Sequence, residues 1–510
     1  MFESERRDRY VSAAVLVLAA LGAFRLFLTT RYGLIPDECY YWLWSKFPDW
    51  CYFSKGPLVA WTISLGTAVC GDTEIGVRWP AVVLHVATGW LMFSFARRLF
   101  GGRAALSTLM VAMTVPLFAI GGIVMTIDPL SVFFWAAAAV ACWGAWRQPT
   151  WSGWLLVGAM VGLGFLAKFT NALQGVCIGL FLLLTREGRV VLRTPKPWAG
   201  VAVALALTAP FWIWNARHGW VTMGHLADRG ALDEPFRLSL SEFWQFVTLQ
   251  AVVFSPLLWL GVVAAVAWGI WRLGREGGWR RGLVDGGWRD ERIFYLLCQS
   301  VPLVGFFAVF ALNDAGQPNW TVPGYVTALI LAGGLWHAAC RRRRGYRAYA
   351  WAAIGFSLLM TAALHDTRPF RLRPEDDPLA RVRGWSEVAN RVDRAVRENG
   401  ADFIVAENYG LAAALTWQLR DRGLGRTNHV FAVRDPRGRI HNQFDLWPTY
   451  ENRLGQTAIF VSTRKGTPDE LRAQFGSFEY LTDPEWIEEG GLPVMRLRLS
   501  VFRDFRGFGR

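Results

Sequence analysis

The sequence has little charge for its length. Only 18% of its 510 residues are Asp, Glu, Lys or Arg, whereas 53% are hydrophobic and the mean hydropathy is +0.24. An ordinary globular chain carries about a quarter charged residues. This chain has too few charges to cover a soluble surface of its size, which excludes a cytosolic enzyme and a disordered scaffold. Its hydrophobic residues fall in blocks of membrane-spanning length, which predicts a polytopic α-helical membrane protein.

Cysteine and lysine are also scarce. The seven Cys are odd in number and their spacing matches no metal site. A disulfide between Cys39 and Cys51 stays open as an interpretation, although small buried thiols are favoured. Only five of the 54 basic residues are Lys, so the net charge of +14 comes mainly from Arg. These Arg residues cluster in short loops between apolar runs, so membrane topology explains them and no nucleic-acid partner is expected.

The apolar runs predict 11 to 13 membrane spans. Eleven are placed near 11–30, 78–98, 104–124, 129–146, 152–167, 170–185, 198–214, 243–271, 293–312, 321–340 and 348–364. If the N-terminus is cytoplasmic, nearly all the Arg-rich loops fall on the inner side, as membrane proteins prefer. Because eleven is odd, the C-terminal segment then emerges on the outer side.

The pattern divides the chain into two parts. Residues 1–364 are predicted to form a transmembrane domain, whose first outer loop, 31–77, contains helices lying along the membrane interface. Residues 365–510 are more polar and are predicted to form a small α/β domain on the outer side. Its helical pattern covers 384–398. Strand-like runs occur at 402–406, 429–433, 457–462 and 494–502.

Ionisable residues gather at the predicted outer ends of the spans. The main ones are Asp37, Glu38, Lys55, Asp128, Lys168, His218, His225 and Arg229. Each has a simple structural explanation: a helix cap, a lysine reaching the lipid headgroups, a buried ion-pair partner, or a solvated loop. Together, however, acids and bases from four separate loops share one membrane face, where charges are expensive and usually functional.

Such a cluster suits chemistry on a lipid-phosphate sugar. The phosphate leaving group needs cationic stabilisation, which Lys or Arg supplies. A carboxylate can take the proton of an attacking hydroxyl as general base. The aromatic rings nearby either stack on the sugar or form a membrane belt, and these two interpretations stay equally open. The rings are those of Tyr40, Tyr41, Trp42 and Tyr52.

An ordered series of motifs spans about residues 10–340. The motifs are Asp37-Glu38-x-Tyr40-Tyr41-x-Leu43-Trp44, Asp49-Trp50-x-Tyr52-Phe53, Asp128-Pro129-Leu130, Gly164-Phe165-Leu166-x-Lys168, Trp214-Asn215 and Gln317-Pro318-Asn319-Trp320. The series resembles the bacterial dolichyl-phosphate-mannose-protein mannosyltransferase-like family. That family belongs to the glycosyltransferase C (GT-C) superfamily and is related to the lipid A aminoarabinose transferase. The tail matches more loosely, through Gly384-Trp385 and Asn442-Gln443-x-Asp445.

The resemblance implies an inverting glycosyltransferase of the bacterial inner membrane that works on the periplasmic side. Asp37 matches the acidic residue that acts as general base in the family. Lys55 matches the basic residue that contacts the carrier phosphate. Asp128 and Lys168 match its acid and base at the membrane edge. Arg229 is expected to bind phosphate as well.

Further implications concern substrates and partners. The donor is expected to be a polyprenyl (undecaprenyl-type) phosphate sugar. The acceptor is expected to be a hydroxyl or phosphate of lipid A, another envelope glycan, a lipid or a protein. The chain is expected to act as a monomer; no cofactor is firmly implied, and a divalent cation stays open. Asp37 and Asp128 are the expected catalytic residues. Substrate-binding roles are expected for Glu38, Lys55, Lys168, Arg229, His218, His225, Tyr40, Tyr41, Tyr52, Asn319 and Trp320.

Two departures from the family pattern stand out. Gly56 replaces the first of two prolines that relatives often have, and Asn313-Asp314-Ala315-Gly316 replaces a usually basic stretch. Two other functions fit part of this pattern. A transporter or flippase of a lipid-linked saccharide would also carry intramembrane charges, but here the charges crowd one interface and no inverted repeat is visible. A membrane scaffold without turnover would tolerate alanine at Lys55 and Asp128.

Overall fold

The computed structural model describes residues 2–230, 237–275, 278–422, 429–435, 437–463 and 468–508. The helices are α1 (Phe2–Thr29), α2 (Pro36–Lys46), α3 (Leu58–Cys70), α4 (Glu74–Phe100), α5 (Gly102–Thr114), α6 (Pro116–Gly121), α7 (Ile127–Arg147), α8 (Trp151–Ala167), α9 (Leu173–Leu184), α10 (Arg186–Leu192), α11 (Pro195–Arg217), α12 (Val221–Arg229), α13 (Leu240–Phe254), α14 (Pro256–Gly274), α15 (Gly278–Arg280), α16 (Glu291–Cys298), α17 (Val301–Phe310), α18 (Val322–Arg342), α19 (Arg344–His365), α20 (Trp385–Asn399), α21 (Tyr409–Leu419) and α22 (Asp469–Arg472).

Within these ranges, eight helical segments are long and apolar enough to cross a membrane. They are Arg9–Thr29, Glu74–Phe100, Ile127–Arg147, Pro195–Arg217, Pro256–Gly274, Glu291–Phe310, Val322–Arg342 and Arg344–His365. Three shorter apolar helices accompany them, at Leu58–Cys70, Trp151–Ala167 and Phe169–Leu184. The prediction of a polytopic α-helical membrane protein is therefore confirmed, whereas the count of eleven spans is not.

Two predicted spans are interrupted immediately before a proline. The run 104–124 contains α5 and α6, which are separated at Val115 because Pro116 starts the second helix. The run 243–271 contains the end of α13 and most of α14, separated at Ser255, whose φ is 76°. In both cases the ring of the following proline would clash with a carbonyl of the preceding turn, so the helix ends before it.

The loops that the charge pattern assigns to the inner side meet at one end of the helices. Arg292 Nη1 donates to the carbonyl of Leu99 at 3.0 Å, and Lys196 Nζ donates to that of Pro149 at 2.7 Å. Nearby, Trp288 Nε1 donates to the carbonyl of Leu184 at 2.8 Å. The candidate site lies at the opposite end.

The chain after α19 contains a mixed sheet. Its strands are β1 (Phe403–Ala406), β2 (Val430–Ala432), β3 (Ala458–Ser462), β4 (Phe475–Tyr480), β5 (Glu485–Glu489) and β6 (Leu492–Phe505). They follow the order β2-β1-β3-β6-β4, and β5 also pairs with β6. β1 is parallel to β2 and β3, while β6 is antiparallel to its neighbours. The predicted helix at 384–398 is α20, so the small α/β domain is confirmed.

Aromatic side chains join this domain to α2. Trp42 packs edge-on against Trp417 with ring centroids 4.9 Å apart. Tyr40 contacts Tyr409 at 4.7 Å and stacks on Phe444 at 5.9 Å. Large buried rings dominate the energetics of such contacts. The C-terminal domain is therefore fixed on the end of the helices that carries α2, where it forms part of the site described next.

Candidate active site

A cavity of about 620 Å³ opens where α2, the loop before α3, α12 and the C-terminal domain meet. Its lining includes ten predicted residues: Asp37, Tyr40, Tyr41, Lys55, Asp128, Lys168, His225, Arg229, Asn319 and Trp320. They come from segments far apart in the sequence. The structure thus brings most of the predicted polar residues into one space.

Asp37 lies in the first turn of α2, and its side chain is 38% exposed. Its Oδ2 lies 3.4 Å from Nη2 of Arg381, a residue of the C-terminal domain. Asp37 is one of two acidic residues in this turn, where a negative charge complements the helix dipole, but the capping hydrogen bond from the backbone N–H of Ile35 goes to Glu38 at 3.1 Å. The Asp37 carboxylate faces the cavity, with Arg381 as its ion-pair partner.

Glu38 requires a correction. Its side chain is fully buried and pairs with Arg78, whose Nε and Nη2 donate to the two carboxylate oxygens at 2.8 and 2.6 Å. The same oxygens accept from the backbone N–H groups of Ile35 and Met125. With four donors and no place in the cavity lining, Glu38 ties α2 to α4 and α7. The structure does not support its predicted role in substrate binding.

Asp128 and Lys168 form a hydrogen-bonded cluster with Asn319 at the cavity wall. Lys168 Nζ donates to Asp128 Oδ1 at 2.8 Å and to the carbonyl of Asn319 at 3.1 Å. Asn319 Nδ2 donates to Asp128 Oδ2 at 2.8 Å. The Lys168 side chain is only 7% exposed, against 24% for Asp128. Lys168 is thus already neutralised by its partner, as its structural explanation anticipated.

Lys55 is the cation that faces the cavity without such a partner. No hydrogen bond or ion pair of its ammonium occurs within the described ranges. Burial, followed by the charges of Arg229 and Lys168, lowers the pKa of Lys55 to about 8. Gly56 brings its loop against α8, because a Cβ at this position would lie 2.0 Å from the carbonyl oxygen of Leu166.

Arg229 supplies a second cation. It is the last residue of α12 and is exposed, and its guanidinium lies 5.8 Å from the ring centroid of Trp320. Like Lys55, it makes no ion pair in the part of the chain that the structure covers. Among the described residues of the cavity, Lys55 and Arg229 are therefore the two cations free to meet an anion.

His225 lies on α12 and contacts the ring of Phe53 at 4.8 Å. Burial, together with the nearby charges of Lys55 and Arg229, lowers the pKa of His225 to about 4. The imidazole is consequently neutral near pH 7. It can donate or accept a hydrogen bond in the cavity, but it adds no positive charge there.

Tyr52 and His218 also differ from expectation, because neither lines the cavity. The Tyr52 hydroxyl lies 3.0 Å from the carbonyl oxygen of Trp44, on whose ring Tyr52 stacks at 4.4 Å. His218 stacks on Trp214 with ring centroids 4.0 Å apart. Both side chains therefore shape the loops around the cavity and do not reach its interior.

Among the cavity residues outside the prediction, three come from the C-terminal domain: Arg381, Tyr409 and Asn442. Asn442 belongs to the loosely matching motif of the tail, which was a usable signal. Arg381 is one of many arginines, and Tyr409 follows a helix-capping Asn408. Nothing local distinguishes these two, because their importance comes only from contact with α2.

No disulfide joins Cys39 and Cys51. Cys39 and Cys51 are separate buried thiols, and burial raises the pKa of Cys51 to about 12. No group of three His, Cys, Asp or Glu side chains that could hold a metal ion occurs in the described segments.

Comparison with known sequences supports the predicted resemblance. The sequence model for dolichyl-phosphate-mannose-protein mannosyltransferase matches residues 54–214. The chain is 28% identical over 386 residues to the lipid A galacturonosyltransferase RgtD of Rhizobium johnstonii, covering 76% of this chain and 77% of that protein. It is also 28% identical to the undecaprenyl phosphate-alpha-4-amino-4-deoxy-L-arabinose arabinosyl transferase of Pseudomonas aeruginosa, over 68% of this chain and 64% of the relative.

Solved structures agree on the fold. The crystal structure of ArnT from Cupriavidus metallidurans in the apo state matches with a TM-score of 0.62 at 17% identity, covering 96% of this chain and 98% of the other. The same protein bound to undecaprenyl phosphate matches with a TM-score of 0.61. The predicted resemblance is thereby confirmed: the chain is an integral membrane protein of GT-C fold, related to the dolichyl-phosphate-mannose-protein mannosyltransferases and to ArnT.

Proposed function

We propose that the chain is an inverting glycosyltransferase that moves a monosaccharide from an undecaprenyl-type phosphate to a hydroxyl or phosphate of a lipid A-like acceptor. The observation that carries the proposal is the placement of Lys55 and Arg229, two cations without an ion pair among the described residues, in one cavity with the carboxylate of Asp37. The activities of the related galacturonosyl and arabinosyl transferases support the donor and the acceptor.

Lys55 and Arg229 bind the carrier phosphate in this proposal. When the bond between the anomeric carbon and the phosphate oxygen breaks, the electron pair stays on that oxygen, so the leaving polyprenyl phosphate gains negative charge. Cations that are already in place stabilise this charge more in the transition state than in the ground state. A neutral His225 lies next to them and can hydrogen-bond a phosphate or sugar oxygen.

Asp37 acts on the acceptor. The acceptor oxygen attacks the anomeric carbon from the side opposite the leaving phosphate, so a new carbon–oxygen bond forms as the old one breaks and the configuration inverts. A hydroxyl acceptor gives its proton to the Asp37 carboxylate. Positioned general bases of this kind contribute about 10²- to 10⁴-fold to the rate.

The role of Lys168 in this proposal differs from the predicted binding of phosphate. Because its charge is shared with Asp128 and with the carbonyl of Asn319, it serves less as a phosphate ligand than as a support for the wall of the cavity. Asp128 is the more exposed member of the cluster and keeps one edge toward the substrate. We therefore assign Asp128 to substrate positioning.

The proposal includes the location of the site. We place the N-terminus in the cytoplasm and the C-terminal domain in the periplasm of the bacterial inner membrane. Residues 1–364 then form the transmembrane domain, and residues 365–510 form the periplasmic domain that covers the cavity. We also propose that the enzyme acts as a monomer.

The test uses purified protein and a panel of undecaprenyl-phosphate monosaccharides with lipid A as acceptor. Wild type should transfer one of the sugars, and Asp37→Asn should lower transfer at least about 100-fold without lowering the temperature of unfolding. Asp72→Asn is a matched control, because Asp72 is an outer-face carboxylate paired with Lys46 and does not line the cavity. It should retain near wild-type turnover.

Two results would contradict parts of this proposal. Turnover retained in Asp37→Asn would remove this residue from the role of base. A folded wild type that transfers none of the sugars would contradict the enzyme itself, and transport of the same lipids in proteoliposomes would then support the transporter.

A further inference from the structure

The linker between α19 and α20, residues 366–383, is fixed at the outer end of the membrane helices. Arg383 is buried and donates to Asp377 Oδ2 at 2.8 Å and to the hydroxyl of Thr367 at 2.9 Å, which closes the linker into a loop. Its last turn is held by Trp385, whose Nε1 donates to the carbonyl of Arg381 at 2.9 Å. The backbone of Arg381 is therefore held in place while its side chain projects from the loop.

The outer surface of this linker combines apolar and basic side chains. Phe370 and Leu372 are 57% and 41% exposed, and they follow the last residue of α19 by only a few positions. Arg371 and Arg373 stand beside them and are exposed as well. Exposed rings and aliphatic groups alternating with arginines suit the boundary between lipid headgroups and acyl chains, and they attract anionic lipids.

Arg381 connects this surface to the cavity. Its guanidinium is 63% exposed and reaches Asp37 at 3.4 Å, and no other side chain pairs with Arg381 among the described residues. An exposed ion pair at this distance is weak and is readily exchanged for another partner. By contrast, Lys55 and Arg229 come from other elements and are engaged by the donor phosphate in the function proposed above.

We propose that Arg381 is a specificity residue for the acceptor: it leaves Asp37 to bind an anionic group of the acceptor lipid, which reaches the cavity along the linker 366–383. The inference rests on the proposed function and adds a requirement to it. Of the two acceptor groups, it selects the hydroxyl: the reacting oxygen is a hydroxyl, and the acceptor must carry a separate phosphate near it. Binding of that phosphate frees the Asp37 carboxylate at the moment when the acceptor oxygen arrives, so the base becomes available only to the correct substrate.

The test compares two forms of one acceptor, lipid A with its phosphates and the same lipid A after phosphatase treatment, with a fixed donor. Wild type should favour the phosphorylated form at least about tenfold in kcat/KM, through a lower KM. A charge-assisted contact to phosphate is strong enough for a difference of this size. Arg381→Gln should raise the KM for the phosphorylated acceptor to that for the dephosphorylated one, while the KM for the donor stays unchanged. Arg381→Lys, which keeps the charge, should retain part of the preference.

Arg397→Gln is the matched control, because Arg397 is a 72% exposed arginine of the same domain that pairs only locally with Asp393. It should behave as wild type. Retention of the phosphate preference in Arg381→Gln, or an equal loss of kcat on both acceptors, would overturn the inference. A wild type that transfers sugar equally to both acceptors would overturn it too and leave the proposed function standing. A wild type without any transfer would overturn both.

Discussion

Two acid–base pairs at the site end of the membrane helices look alike in sequence and differ in structure. The Glu38–Arg78 pair is closed: both side chains are at most 1% exposed, and each Glu38 oxygen accepts from Arg78 and from a backbone N–H group. The Asp128–Lys168 pair is open on one side, with 24% of Asp128 exposed toward the cavity. The first pair has no remaining capacity for a ligand, whereas the second has.

The Asp37–Arg381 pair extends this comparison to a third degree of burial. Its side chains are 38% and 63% exposed, and the contact is longer than in the other two pairs. From the closed pair to the exposed one, the cost of separating the charges falls, and the ability to exchange partners rises. Structural, positioning and exchangeable roles follow this order.

The largest effect on stability is expected from breaking the closed pair. Arg78→Met leaves the buried Glu38 carboxylate without its counter-ion, so the free energy of unfolding should fall by about 3–5 kcal/mol. Unfolding in detergent, followed by circular dichroism, measures the loss. Lys46→Met breaks the exposed pair with Asp72 and serves as the control, with an expected loss below about 1 kcal/mol. Equal losses in the two variants would contradict the distinction between the pairs.

The half-open pair should affect turnover more than stability. Asp128→Asn removes the charge that holds Lys168 and weakens the contact with Asn319, so kcat should fall by about 10- to 100-fold. The free energy of unfolding should fall by only about 1–3 kcal/mol. Transfer assays and unfolding on the same preparations check both values. A stability loss as large as that of Arg78→Met, with turnover unchanged, would show that this pair is structural as well.

The smallest effect is expected from titrating Lys55. Because its pKa is lowered to about 8, the ammonium is charged below this pH and becomes neutral above it. Phosphate binding should therefore weaken as the pH rises through 8, and KM for the donor should approach a rise of about tenfold per pH unit. Lys55→Arg keeps its charge to higher pH and should give a flat profile. Identical profiles for the two proteins would assign the titration to another group.

Much of the fold could be predicted from sequence because its signals are local. Long apolar runs mark the membrane helices, and the buried strand Phe403–Ala406 stands out as a short apolar segment. The interruption at Ser255 was missed although Pro256 follows it, because a proline inside a long apolar run can kink a membrane helix as well as end it. The number of spans depends on such interruptions, which is why it could not be fixed.

The candidate site likewise contains residues with a local sequence signal and residues without one. Asp128 and Lys168 were found because a charge beside an apolar span is conspicuous. Lys55 was found because it lies where the charge pattern predicts few basic residues, and the phosphate role of Arg229 came from the family resemblance. Glu38 was misassigned because adjacent residues of a helix point about 100° apart, so Asp37 faces the cavity while Glu38 faces the interior. Arg381 was missed because 344 residues separate it from Asp37, and only the folded chain brings them together.

Gly56 has a consequence for charge that reaches beyond packing. The absence of a side chain lets its loop rest directly on the carbonyl oxygen of Leu166, near the end of α8 that leads into Lys168. This backbone contact holds the half-buried Lys55 close to Lys168. Desolvation and the charge of Lys168 both lower the pKa of Lys55. A residue with no functional group thus fixes the place of a titratable lysine among other cations.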